Sequence, residues 1–308
     1  MPIYGIMNKL NNIKDFENAI NKVSKLLEKN KNTIDIIYSL TFHESPESML
    51  DQLLNIITFN HLNKILIMCS INDSMNEQIK DVKFPPNIII HPIIRLSSLG
   101  MLWNTNLFEA HMNNLEYVKN KNLKFDYFCT LASNEMFIKN IDINVIKNKI
   151  VLTPKKFVLT EPIKILNKLN SWVHYKPFME NFNLCSFFLV NGYEPFAQQH
   201  EGTILPSNVM YDILKLYRKD NFSNKVINTQ NVLLEEVFVP TYLNNHYEYN
   251  GFVLTYRNFE YYSVSKEEIE KTNLYSVKRV PRELNHETRC LIRNIYLSYL
   301  INGLNINV

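Results

Sequence analysis

The stretch Thr33-Ile-Asp-Ile-Ile-Tyr-Ser-Leu-Thr-Phe42, continuing through His43-Glu44 and Ser45-Pro46 to Lys64-Ile-Leu-Ile-Met-Cys-Ser-Ile71, decides the fold class. Its two near-continuous apolar runs read as strands buried on both faces, the pattern of a parallel sheet. Between them Ser45 reads as an N-cap with Pro46 at the first helical position. The helix that follows, Glu47 to Thr58, has Met49, Leu53, Ile56 and Ile57 to bury. A third apolar run, Asn87 to Pro92, extends the order to β-α-β-β. That order predicts an α/β domain with a mostly parallel central sheet flanked by helices.

Working outward, Asn12 to Lys29 has helical spacing of Ile13, Phe16, Ile20, Val23 and Leu27. Leu107 to Lys119 and Pro206 to Tyr217 read as helices, and Phe125 to Leu131 and Cys185 to Val190 as strands. Tyr247 to Thr255 and Phe259 to Val264 read as late strands. Glu283 to Leu300 reads as a closing helix capped by Asn285. The expected division is an N-terminal helix over 1–32, the main domain over 33–265, and a C-terminal extension over 266–308.

The chain has 308 residues, 46% of them apolar and 20% charged, with 17 Tyr and 18 Phe, which suits a packed core. A net charge of +3 does not by itself imply nucleic acid, although Lys278, Arg279, Arg282, Arg289 and Arg293 crowd the C-terminal part. Cys69, Cys129, Cys185 and Cys290 lie far apart with no CxxC, so a zinc site is not expected and reduced thiols are. The N-terminus lacks the apolar core of a signal peptide and no run is long enough for a membrane span. The expectation is a soluble protein of the cytoplasm. With six Gly and neither GxGxxG nor GxxxxGK[ST], a dinucleotide fold and a P-loop are disfavoured.

Candidate chemistry gathers at the carboxyl ends of the predicted strands, where open α/β sheets bind ligands. Those ends are His43-Glu44, Asn72-Asp73, Ser133-Asn134-Glu135 and the loop Gln198-Gln-His-Glu-Gly202. Glu235 and Glu236 lie between apolar residues in Leu233-Leu-Glu-Glu-Val-Phe-Val-Pro-Thr241, so at least one is expected in a partly dry place with a raised pKa. The alternative is that they end a helix or pair with Lys. Ser276-Val-Lys-Arg-Val-Pro-Arg282 sets three cations within five positions, able to hold a diphosphate or to form a solvated basic face. No DxD occurs, so a divalent ion held by paired aspartates is not expected. Trp103 and Trp172 are packing residues or sugar platforms, and Glu201 binds hydroxyls or caps a turn.

Taken in order, these pieces resemble the core-2/I-branching β-N-acetylglucosaminyltransferase and peptide O-xylosyltransferase family. The resemblance rests on the strand ending in His43, the helix from Pro46 and the strand to Ile71. It continues through Gly100, Trp103 and Ala110, then Phe125 to Glu135, and Glu235-Glu236-Val-Phe-Val-Pro-Thr241. Asn134 and Glu135 stand where the family has Gly and Asp, and Glu235 stands for Asp. The resemblance implies a GT-A-like single domain and an inverting, metal-independent sugar transfer from a nucleotide-sugar, by default UDP-linked, to a glycan acceptor. It implies Glu236 as base and Lys278, Arg279 and Arg282 on the diphosphate. Thr41, His43, Ser70 and Asn72 would meet the nucleotide. Trp103, Ser133, Asn134, Glu135, His200, Glu201 and Glu235 would meet sugar or acceptor. Lacking the anchor and disulfides of animal members, the chain is expected to be a microbial or viral member at work in the cytosol, the host's if viral. The rivals are an inactive glycan-binding or structural member, and a nucleic-acid binder using the C-terminal helix.

Overall fold

The computed structural model describes residues 10, 12–28, 32–92, 106–155, 175–226, 232–257 and 263–304. Helix α1 (Ile13–Leu26) is capped by Asn12, whose side chain accepts from the Asp15 amide. Strand β1 (Ile34–Phe42) leads into α2 (Pro46–Phe59), with Ser45 accepting from the Ser48 amide as N-cap. Then come β2 (Ile65–Ile71), the short α3 (Asp73–Ile79) capped by Asn72, and β3 (Ile88–Pro92). Helix α4 (Asn106–Asn120) crosses to β4 (Phe125–Leu131). The predicted strands and first helix are therefore present, but the order is β-α-β-α-β, because the short α3 capped by Asn72 stands between β2 and β3.

Strands β3, β2, β1 and β4 pair in that order and all parallel; β7 (Ile204–Pro206) closes the edge antiparallel to β4. The core divides across this sheet. Ile36, Tyr38, Leu40 and Phe42 of β1 pack with Phe16, Met49 and Leu53 on one face. Ile37, Leu66 and Met68 pack with Phe108, Met112 and Phe238 on the other. This is the two-sided burial that the apolar runs predicted, each large side chain contributing about 1.5–3 kcal/mol. Chain order reverses between β1 and β4, so the crevice at their carboxyl ends is the topological switch point.

Beyond β4, β5 (Glu135–Phe137) starts a second sheet, followed by α5 (Ile143–Ile146) and β6 (Leu152–Pro154). Helices α6 (Tyr175–Glu180), α7 (Phe182–Val190), α8 (Ser207–Arg218) and α9 (Phe222–Val226) precede α10 (Leu234–His246). Strand β8 (Tyr247–Tyr249) pairs with β6. Strands β9 (Thr255–Tyr256) and β10 (Ser276–Lys278), with α11 (Lys266–Lys271) between them, complete the second sheet, β10 lying antiparallel to β5 and parallel to β9. The chain ends in α12 (Glu287–Ser298) and a π-helical turn, Tyr299–Gly303.

Three readings need correction. Cys185 to Val190 is part of helix α7, because Asn181 caps it through the Leu184 amide; a short apolar run cannot choose between strand and helix. Tyr247 to Thr255 is broken after Tyr249, where Asn250 and Gly251 turn the chain and Gly251 takes φ +68°. The closing helix starts at Glu287, capped by His286 in place of Asn285. Most of Phe259 to Val264 lies outside the described residues, as do Gly100, Trp103 and Trp172. No helix among the described residues is long and apolar enough to cross a membrane, and the described cysteines are unpaired.

The C-terminal cations divide sharply. Arg289 and Arg293 are buried on Asp51 of α2: Arg289 Nε lies 2.6 Å from Asp51 Oδ2 and Arg293 Nε 3.0 Å from Oδ1. Tyr296 donates to Asp51 Oδ1 at 2.5 Å. These arginines hold α12 to the core and present no basic face to nucleic acid. Burial alone would raise the Asp51 pKa, but the guanidinium groups outweigh it and hold the carboxyl below its usual range. Asp51→Asn should therefore cost about 3–5 kcal/mol, because it leaves buried cations uncompensated. A lowered carboxylate pKa contributes stability above the unfolded value and loses it as pH falls through the folded one. The gap between wild type and variant in chemical denaturation should accordingly close below about pH 4.

Candidate active site

Side chains from distant segments meet at the carboxyl end of the main sheet. At the switch point, Glu44 follows β1 and Ser133 follows β4. Ser133 Oγ donates to Glu44 Oε1 at 2.6 Å, Arg282 Nη2 donates to Ser133 Oγ at 3.1 Å, and Arg282 Nε lies 2.5 Å from Glu44 Oε1. Arg282 is held there from behind, since Arg289 Nη1 donates to the Pro281 carbonyl at 3.0 Å. His43 and Asn72 form the rim beside it: His43 is 44% exposed, and Asn72 donates to the His43 carbonyl at 3.4 Å.

The next layer is built on the second sheet. Lys278 of β10 stands opposite Glu135 of β5 in the strand register. Its ammonium group contacts Glu201 Oε1. Burial lowers the Lys278 pKa, Glu135 opposes this, and Arg279 and Arg282 push it further down. Glu135 is driven upward by burial against hydrogen bonds from Thr255, the Ala132 amide and Ser276. Arg279 takes φ +68°, and the Val280 amide donates to the Asn134 carbonyl at 3.0 Å, so the basic segment is strapped to the residue just before β5.

Arg257 joins this layer to the paired acids. Its Nη1 lies 3.5 Å from both Glu201 Oε2 and Glu236 Oε1. The Gln198 amide donates to the Glu236 carbonyl at 2.9 Å, clipping the 198–201 loop to the first turn of α10. Glu236 is 7% exposed. His200 is nearly enclosed, and burial, with help from Lys278, His111 and Arg257, holds its imidazole neutral well below the ordinary pKa.

The structure thus brings together Glu236, Glu201, His200, Glu135, Lys278, Ser133 and Arg282, with Arg279 and Asn134 alongside. Other candidates are placed differently. Ser70 is fully buried and donates to Asn114 Oδ1 of α4 at 3.2 Å; Asn114 in turn donates to Ser39, which lies 2.7 Å from His111. Thr41, its partner in register, is also buried, so neither hydroxyl sits on the rim where a nucleotide contact was expected. Glu235 points away from the cations into an enclosed cavity beneath them, which removes it from acceptor contact. Glu235 is the dry member of the acid pair. Arg257 was missed in the sequence; the Arg that closes Leu254-Thr-Tyr-Arg257 was its only signal.

No protein-family model and no curated protein sequence matches this chain. The functional reading therefore rests on this geometry. His200, Glu201 and Glu236 each offer an atom within 4.8 Å of the others, a spacing open to a metal ion. The carboxylates, however, already face Lys278 and Arg257, and a divalent ion would have to settle among two fixed cations.

Gly202, which ends the loop, takes φ +69°, and a Cβ there would fall 2.7 Å from the Thr255 backbone nitrogen. At Gly251 the nearest neighbour of such a Cβ is the flexible Gln198 amide at 3.1 Å. Both substitutions by Ala carry the left-handed backbone cost of about 1–2 kcal/mol. Urea titration should show Gly202→Ala the more damaging of the two, since only it forces β9 away from the loop.

Proposed function

We propose that this protein is an inverting, metal-independent glycosyltransferase with a GT-A-like fold, moving a sugar from a nucleotide-sugar donor, taken as UDP-linked, to a hydroxyl of a glycan acceptor. The observation that carries this reading is the meeting of an enclosed acid, Glu236, with Arg257, Lys278 and Arg282 at the carboxyl end of a parallel sheet beside its switch point. Glu236 takes the proton of the acceptor hydroxyl. The freed oxygen attacks the anomeric carbon from the face opposite the diphosphate, and the carbon–oxygen bond to the phosphate breaks with its electron pair leaving on phosphate. Arg282, 40% exposed on Glu44, exchanges that carboxylate for the departing diphosphate, with Lys278 and Arg279 adding charge behind it. Arg257 orients Glu236.

A positioned base contributes about 10²–10⁴ in rate. Glu236→Gln should lower sugar transfer by that factor while nucleotide-diphosphate affinity, read by calorimetry, stays near wild type. Retained transfer would remove Glu236 from the role. Arg282→Ala should instead weaken nucleotide binding, and EDTA should leave turnover unchanged.

A second reading is favoured by one feature: Arg257, Lys278 and Arg282 each face a protein carboxylate already, as in a purely structural ion network. On that reading the chain is an inactive glycan-binding or structural protein. Neither donor hydrolysis nor transfer would then be seen with any nucleotide-sugar, and Glu236→Gln would change stability alone.

A further inference from the structure

Glu235 has no part in the mechanism above, yet it is buried beside the site, 2% exposed. Both carboxyl oxygens are sealed from solvent and meet no donor on another described residue. They border a cavity of about 20 Å³, walled by Phe108 and Met112 of α4, Phe128 of β4 and Met210 of α8, and closed by Gln198 and His200 of the loop. That volume holds about one water molecule. His200 Nδ1 is a second sealed atom without a hydrogen-bond partner among the described residues. We infer that Glu235 sits in this cavity as a neutral carboxylic acid bonded to one ordered water, and that in this form it is a positioning residue fixing the first turn of α10 against the 198–201 loop.

The chemistry of the cavity points this way. An ionised carboxylate facing aromatic and thioether walls has nothing to balance it. A neutral acid needs one acceptor for its O–H and one donor for its carbonyl, and a single water is both. Burial pushes the Glu235 pKa up to about 8, opposed by its own amide and aided by the charge of Glu236. The titratable groups around it are His200 from the loop, Tyr249 from β8, Tyr217 from α8 and Glu236 beside it; His111 of α4 lies against Ser39. His200 is held neutral and both tyrosines are raised by burial, so these three keep their charge through the range in which Glu235 changes. The cavity lies inside the joint made by the Gln198–Glu236 backbone bond. A charge appearing there draws in water and loosens the seat of Glu236.

The test compares wild type with Glu235→Gln, which keeps shape and removes the proton equilibrium, and with Glu235→Leu. Infrared difference spectroscopy at pH 6 should show a protonated-carboxyl band in wild type that Glu235→Gln lacks. Thermal unfolding should agree: a carboxyl held protonated in the fold loses stability relative to Gln as pH rises from about 4.5 to about 8, and the difference then levels. Neither measurement needs activity, so both judge the neutral acid whether or not the transferase reading holds. The positioning role rests on that reading: the alkaline fall of kcat near pH 8 should move upward in Glu235→Gln. The difference between proteins decides, since Glu135 and Lys278 are also shifted toward neutrality. Glu235→Leu should lower kcat at every pH with KM for donor little changed. No band difference, with a pH-independent stability gap, overturns the neutral acid; an unmoved alkaline limb overturns the positioning role.

Discussion

Asp51 and the two guanidinium groups it neutralises constrain everything at the ligand end of the sheet. An acid and two arginines out of water are tolerated only with near-complete hydrogen bonding. Here Asp51 accepts from Arg289, Arg293 and Tyr296, and Arg289 also donates to the Ser48 and Pro281 carbonyls. The cluster therefore does more than join α12 to α2. It fixes the chain at Pro281, one residue before Arg282, and so delivers that side chain to Glu44 and Ser133 at the switch point. A structural ion pair in the core sets the position of a half-exposed cation at the switch point.

The second sheet does the same for Lys278. Its β10 strand is pinned between β5 and β9, and β5 begins where β4 ends. The carboxyl end of the main sheet thus runs directly into the strand that carries Lys278's opposite number, Glu135. Because the acids Glu44, Glu135, Glu201 and Glu236 are interleaved with the cations, the local charge is close to balanced without a ligand. A bound diphosphate would compete with carboxylates for the same donors. On the proposed reading such exchange would suit release of the charged product, since binding that is strong but partly offset leaves quickly.

The opening half of the fold was legible because the relevant signals are local. Ser45-Pro46 is a cap, the runs to Phe42 and Ile71 are strands, and both fall where expected within a residue or two. The polar strand ends were legible for the same reason. What the sequence hid was pairing across distance. Arg257 is one basic residue after a short strand, and nothing near it announces Glu201 or Glu236. Arg289 and Arg293 looked like part of a basic surface because their neutralising partner lies more than 230 residues away. Ser70 ends a strand like His43, but alternation turns its side chain toward α4. The run at Cys185 failed for a simpler reason: its apolar content suits either period, and the deciding cap, Asn181, stands outside it.

The adjacent acids show how little chain is needed to make two environments. Successive residues of a helix point about 100° apart, and on α10 that rotation carries one carboxyl to Arg257 and the other into the apolar layer below. Glu236 meets a guanidinium, the loop and partial solvent; Glu235 meets Phe108, Met112 and Phe128. Burial among rings pushes the Glu235 carboxyl up and favours its neutral form, while Glu236 faces a guanidinium. A single acid could not be both a proton acceptor at the ligand face and an uncharged brace for the helix that presents it. On the proposed transferase reading, placing the two side by side would give the base a rigid footing without adding a second negative charge where a diphosphate binds.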